Sequence, residues 1–154
     1  MVKEVVTLTG NDLTIEDIIA VSRKNSNNIF SKVVLSEKSK EKIIKVRNYI
    51  EENWLKDGCE PVYGFNTGVG LLKSEFVTFD KLKDFQKLYI KSHSVGVGEP
   101  YDIDVVRAAI LIRVNSFAKG YSGIRINLVE KLIEMLNKEI TPVVPEIAIK
   151  RSIF

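Results

Sequence analysis

The chain has 154 residues, of which 45% are hydrophobic and 28% charged, with a formal net charge of +3. That length suits one domain with a real core, and the balance argues against disorder and against a membrane protein. The slight positive excess sits in alternating Lys and Glu, as between Ser36 and Lys56. With no concentrated basic patch and no aromatics interleaved with Arg, nucleic acid is not an expected partner.

Val5 to Thr9 is β-prone and runs into a turn at Gly10-Asn11-Asp12. Thr14 with Asp17 three residues on reads as a capping box, opening a helix with Ile15, Ile18, Ile19 and Ser22 on one side. Lys32 to Leu35 reads as a second short strand. Ser36 caps a longer helix whose Ile43, Val46, Ile50 and Trp54 recur at threes and fours, with Gly58 as its stop. Pro61 to Leu72 is loop. Thr78 or Asp80 opens a helix carrying Leu82, Phe85 and Tyr89. Asp102 or Asp104 opens the next, from Val105 to Lys119, apolar around most of its circumference and expected to be the central buried helix. Ser122 or Asn127 starts the last, and Pro142 and Pro145 force an extended exit. The expected fold is one mainly α, multihelical domain over residues 1–154, its β element limited to the segments near Val5 and Val33.

One cysteine, Cys59, precludes an internal disulfide and fits a reducing compartment. With Asp57 and Glu60 beside it, Cys59 reads as structural rather than as a nucleophile. Arg107 and Arg113 interrupt the longest apolar segment, so no membrane span is expected, and no signal peptide is visible; the expected location is the cytoplasm. A single histidine and a single cysteine make a metal site a poor expectation.

Two segments carry the chemistry. Tyr63-Gly64-Phe65-Asn66-Thr67-Gly68-Val69-Gly70 places a tyrosine at the head of a loop whose glycines permit positive φ and close backbone approach. Asn66 and Thr67 can tie such a loop through side-chain to backbone hydrogen bonds. It lacks the P-loop spacing, so phosphate cradling is a weak rival. The plain structural alternative is a surface turn with a packed tyrosine. The second segment, Ser92-His93-Ser94-Val95-Gly96-Val97-Gly98, sets the only histidine before another glycine loop. Leu82, Phe85, Tyr89 and His93 fall at helical spacing, so His93 could simply end a buried face.

Together these segments resemble the two N-terminal signatures of the aromatic amino acid ammonia-lyases, most of all the histidine ammonia-lyases. The first matches the family pattern Tyr-Gly-x-Asn-Thr-Gly-x-Gly at every fixed position. Val6-Thr7-Leu8, Leu13-Thr14, Val106-Arg107-Ala108, Arg113-x-Asn115, Gly120-x-Ser122-Gly123, Leu136-Asn137, Pro142 and Val144-Pro145 resemble its further landmarks in order. The resemblance implies the N-terminal part of the ammonia-lyase (aspartase-like) fold. It implies Tyr63 as the base that removes the substrate β-proton from a mobile loop, with His93 and Gly70 at the substrate. A tyrosine phenol ordinarily titrates near 10 and needs nearby positive charge to act near neutral pH. Ser92-His93 leans towards histidine over phenylalanine or tyrosine as substrate.

After Val-Pro the family continues to an Ala-Ser-Gly segment that forms its methylidene-imidazolone electrophile, and no Ala-Ser-Gly occurs in these residues. The expectation is therefore a chain that is inactive alone, without a cofactor of its own, working in histidine catabolism with a complementary lyase chain that brings the methylidene-imidazolone group, or as a homo-oligomer. The apolar residues Met135, Leu136, Ile140, Val143, Val144, Ile147, Ile149, Ile153 and Phe154 are the expected contact surface. The alternative is a non-catalytic helical remnant that oligomerises or binds a small ligand.

Overall fold

A computed structural model describes residues 3–56 and 58–148. Five helices and four short strands follow in the order β1 (Val5–Leu8), α1 (Ile15–Ser22), β2 (Lys32–Leu35), α2 (Glu37–Asn53), α3 (Phe79–His93), β3 (Gly96–Pro100), α4 (Ile103–Ala118), α5 (Ile126–Asn137) and β4 (Pro145–Ala148). The architecture is mainly helical. The chain divides into two compact units: residues up to Arg47 with Pro100–Val144, and Asn48–Glu99 with the residues from Pro145 onward.

In the first unit β1 and β2 pair in parallel, Val6 opposite Val33 and Leu8 opposite Leu35. A parallel pair needs a crossover, and α1 lies in it. Alternation does the sorting: Val6 and Leu8 are buried while Val5 and Thr7 face outward. Thr14 starts α1 with the capping box that the sequence predicts. Its hydroxyl accepts from the Asp17 N–H at 3.2 Å, and the Asp17 carboxylate accepts from the Thr14 N–H at 3.2 Å. Asp17 also accepts from Lys3 Nζ at 2.6 Å. Burial pushes the Asp17 carboxyl up, but the bonds from Lys3 and Thr14 outweigh it and hold it below its ordinary value.

The face of α1 matches expectation in part: Ser22 is buried and Ile18 packs against the core, but Ile15 and Ile19 are exposed and Asp17 and Val21 are buried. The capping box and the Lys3 bond hold Asp17 inward, with Ile15 and Ile19 turned out. Ser36 caps α2 as expected, its hydroxyl accepting from the Ser39 N–H at 3.2 Å. The helix stops at Asn53, short of Gly58, as the Trp54 and Leu55 amides both turn back to Ile50 O.

The core of this unit joins Val6, Leu8, Val21, Val33, Ile43, Leu111, Val114, Ala118, Val129 and Leu136. Each such side chain withdrawn from water contributes about 1.5–3 kcal/mol, the alanine less. Helix α4 packs on α1, α5 and β1. It buries one face only, through Val106, Arg107, Leu111, Val114 and Ala118. Ile103, Val105 and Ile112 stand exposed, so α4 is not buried around its circumference as its composition suggests. Asp102 stands at its N-cap position without a side-chain bond. Neither Ser122 nor Asn127 caps α5; Arg125 occupies that position.

Arg107 is fully buried and, among the described residues, has no carboxylate partner in bonding distance. Its Nε donates to Val21 O at 3.0 Å and its Nη2 to Leu136 O at 3.1 Å, and its guanidinium lies 3.7 Å from the Phe30 ring centroid. One cation thus satisfies orphan carbonyls near the C-termini of α1 and α5, where the helix dipoles favour it. Burial pushes its pKa down and Glu139 opposes this. Asn137 acts at the open edge of β2: its Oδ1 accepts from the Val33 N–H at 2.8 Å and its Nδ2 donates to Val33 O at 2.9 Å. Asn115 Oδ1 accepts from the Gly10 N–H at 3.0 Å, holding the turn after β1.

In the second unit a further two-stranded sheet pairs β3 with β4. The β structure is therefore not confined to the segments near Val5 and Val33. What the sequence presents as a second glycine loop is a strand at Gly96–Pro100. A Cβ on Gly96 would lie 2.9 Å from the Pro145 ring, so glycine allows the two strands to approach. Of the apolar residues expected to lie open near the end of the chain, Ile140, Val143, Val144 and Ile147 are exposed, whereas Leu136 is buried in the core. Ile149, Ile153 and Phe154 lie outside the described residues, as does Asp57.

Candidate active site

The loop that begins at Tyr63 is built on Asn66. This side chain is 1% exposed, and its amide serves four neighbours. Oδ1 accepts from the Val62 N–H at 2.6 Å; Nδ2 is within bonding distance of Trp54 O at 3.0 Å, Glu60 O at 2.9 Å and Cys59 Sγ at 3.1 Å. An amide alone supplies an acceptor and two donors at one point, which explains asparagine here. Thr67 adds a second tie, accepting from the Gly64 N–H at 3.4 Å and donating to Gly68 O at 2.9 Å. Backbone bonds from Gly68 N to Glu75 O and from Val77 N to Asn66 O, both 2.8 Å, close the base of the loop. The Trp54 ring meets Phe65 edge-on at 5.0 Å and Tyr49 at 5.8 Å, giving the knot an apolar floor. Cys59 Sγ lies 2.8 Å from Lys56 O and 3.1 Å from Trp54 O, so its thiol is part of the knot.

Gly68 is required for space: a Cβ there would lie 2.5 Å from Leu72 O. Gly70 is required for conformation, with φ at +61° and no neighbour to block a side chain. In that conformation the Gly70 N–H points at the Tyr63 hydroxyl oxygen, 3.5 Å away. Tyr63 is half exposed. Two of the predicted site residues, Tyr63 and Gly70, are thereby brought together.

A cleft of about 240 Å³ lies beside the loop, lined by Tyr63, Gly64, Phe65 and Val69 from the loop and by Phe85, Gln86 and Tyr89 from α3. His93, the last residue of α3, is exposed and does not line it. It reaches the cleft through Tyr89, whose ring centroid is 4.3 Å from that of the imidazole. His93 Nδ1 lies 2.8 Å from Tyr89 O and 2.9 Å from Ser92 Oγ. The reading of His93 as the end of a buried face does not hold, because no residue of α3 is buried.

Phe85 and Tyr89 read from sequence as packing residues, and Gln86 carries no signal there. The available clue is that Phe85 and Tyr89 are four apart and share a helix face, which the tyrosine loop then faces. Neither the tyrosine loop nor the Ser92–Gly98 segment lines a second cavity, about 350 Å³ in the first unit, walled by Tyr101, Val105, Arg113, Leu132, Pro142 and their neighbours.

The family model for aromatic amino acid lyases matches residues 13–148. The chain belongs to the aromatic amino acid lyase family. It is 43% identical over 141 residues to the histidine ammonia-lyase of Caldanaerobacter subterraneus subsp. tengcongensis, covering 92% of this chain and 26% of that protein. Among solved structures it is similar to histidine ammonia-lyase from Trypanosoma cruzi, with a TM-score of 0.81 and 30% identity over 94% of this chain and 27% of that one. It is also similar to tyrosine aminomutase from Streptomyces globisporus, with a TM-score of 0.80 and 33% identity over 93% of this chain and 26% of that one. The chain thus spans about a quarter of the length of the curated relatives it matches. Among the described residues, no helix is long and apolar enough to cross a membrane.

Proposed function

We propose that this lyase-family chain supplies the base loop of a histidine ammonia-lyase, with Tyr63 taking the β-proton of histidine during elimination of ammonia to urocanate in the cytoplasm. The observation that carries this reading is the Tyr63 hydroxyl within 3.5 Å of the Gly70 N–H beside a cleft that Tyr63 and Tyr89 both line, with the His93 ring 4.3 Å from that of Tyr89. A base must give up its own proton before it takes one. In this reading the Gly70 N–H orients the phenol oxygen. Tyr63 is half exposed, so its side chain is not closed off from a substrate. This reading has His93, one ring beyond the cleft wall, contact the substrate imidazole.

The methylidene-imidazolone group of this family forms from Ala-Ser-Gly, and these 154 residues contain no such tripeptide. The residues present do not include the precursor of that group, so in this reading it comes from polypeptide outside these residues. The test is reconstitution. The isolated chain should release no ammonia from histidine. Mixed with a polypeptide carrying the Ala-Ser-Gly segment, it should form a complex that produces urocanate. Failure of every such mixture would favour a second reading, a non-catalytic helical remnant that oligomerises, which the exposed Ile103, Val105 and Ile112 on α4 also support.

A further inference from the structure

We propose that the groove between α4 and α5 docks a segment of lyase polypeptide from outside these residues, and that this segment brings a carboxylate to Arg113. The groove, about 350 Å³, is walled by Val105, Ala109 and Ile110 of α4, Leu132 of α5, and Pro142 and Val144 beyond it. The Tyr101 N–H donates to Val144 O at 2.9 Å, which holds the stretch after α5 beside the start of α4. Val105, Ala109 and Ile112 recur at four and three, so the apolar strip runs about 10 Å along the helix. Val105 and Ile112 are each about half exposed along it. A helix face of this kind is one that a neighbour covers.

Charge says what the neighbour must carry. Arg113 is the only charged residue in the lining, and it is exposed. Its guanidinium lies 5.5 Å from the Phe117 ring centroid, and among the described residues no carboxylate pairs with it. A cation beside apolar walls fits an occupant that is apolar and supplies an acid. A second copy docking through the same face supplies none. In a two-fold contact the patch meets itself, so Arg113 would face Arg113 with no Asp or Glu in either lining. The lyase relatives do hold further polypeptide, since this chain covers 26% of the Caldanaerobacter subterraneus histidine ammonia-lyase. The docking site rests on the reading that polypeptide outside these residues completes the enzyme; it does not rest on Tyr63 as the base.

The test compares the isolated chain with a chimera in which the full chain replaces the matched residues of the Caldanaerobacter enzyme. Both carry Val105→Cys, and maleimide labelling is mapped by mass spectrometry so that Cys59 is read separately. The new thiol should label about 100-fold more slowly in the chimera than in the isolated chain, because a covered thiol reacts only after local opening. Adding Arg113→Gln should speed labelling of the chimera about tenfold, the worth of one charge-assisted bond, and leave the isolated chain unchanged. Equal rates in chimera and isolated chain would overturn the proposal, as would an Arg113→Gln chimera that labels like its parent. Labelling of the isolated chain that slows as its own concentration rises would mean that a second copy fills the groove, and would overturn it too. A chimera that fails to assemble while the isolated chain is folded by circular dichroism would count against it in the same way. Turnover is not read in any arm. A Tyr63→Phe chimera working at the unsubstituted rate would therefore remove the base reading and leave this one standing.

Discussion

Replacing Asn66 by Asp keeps the size and the acceptor but removes the amide donor, and should loosen the tyrosine loop selectively. In Asn66→Asp, one oxygen can still accept from the Val62 N–H. The other would face Trp54 O and Glu60 O, which now stand 3.0 and 2.9 Å from the amide nitrogen. Two hydrogen bonds are lost at about 1 kcal/mol each, and buried acceptors left unpaired add to this, for about 2–4 kcal/mol in all. Local opening should become easier by that amount, which speeds amide exchange about 30- to 1000-fold. The amides to follow are Val62, Gly68 and Val77, whose bonds close the loop. The Val33 amide, held by Asn137 in the other unit, serves as an internal reference. Unchanged exchange at Val62 and Val77 would refute the idea that Asn66 organises the loop.

Other consequences follow from the same contacts. Arg107→Lys should destabilise the chain by about 2–4 kcal/mol and by more than Arg107→Met, since lysine keeps a buried charge but cannot reach both Val21 O and Leu136 O; urea midpoints in the opposite order would contradict this. Gly68→Ala should cost more than Gly64→Ala, because the first meets Leu72 O at 2.5 Å whereas the second meets nothing and bears only its positive φ, worth about 1–2 kcal/mol; Trp54 fluorescence during urea unfolding reads both. Asp17 has a folded-state pKa below its ordinary 3.8, so its contribution is present above that value and is lost as pH falls through the lower folded value. Asp17→Asn should therefore flatten the acid limb of the stability profile, and an unchanged limb would argue against it.

Much of the fold is legible in the sequence because the signals are local. The Thr14–Asp17 box, the Ser36 cap and the alternation in Val5–Leu8 each depend on residues a few positions apart. The β3–β4 sheet is not legible. Gly96–Pro100 has a glycine-rich composition that disfavours strand, and its partner at Pro145–Ala148 lies far along the chain. The facing of α1 is only partly legible: Ile18 and Ser22 turn inward as their spacing suggests, but a buried Asp17 with its bonds leaves Ile15 and Ile19 outside. The open side of α4 is hidden for a different reason: an apolar circumference tells what a helix can bury, not which neighbours are present. In the candidate site, the tyrosine loop shows in its glycines and in Asn66, whereas Gln86 and Tyr89 emerge only once α3 is set beside the loop.

The central claim is that Tyr63 is the base. It is tested most directly by comparing wild type and Tyr63→Phe in the same reconstituted complex, following urocanate at saturating histidine. The substitution removes the proton acceptor and little volume, so assembly should be unchanged by light scattering. General-base catalysis is worth about 10²–10⁴-fold, and kcat should fall by at least the lower figure. A Tyr63→Phe complex that turns over histidine at the wild-type rate would contradict the account.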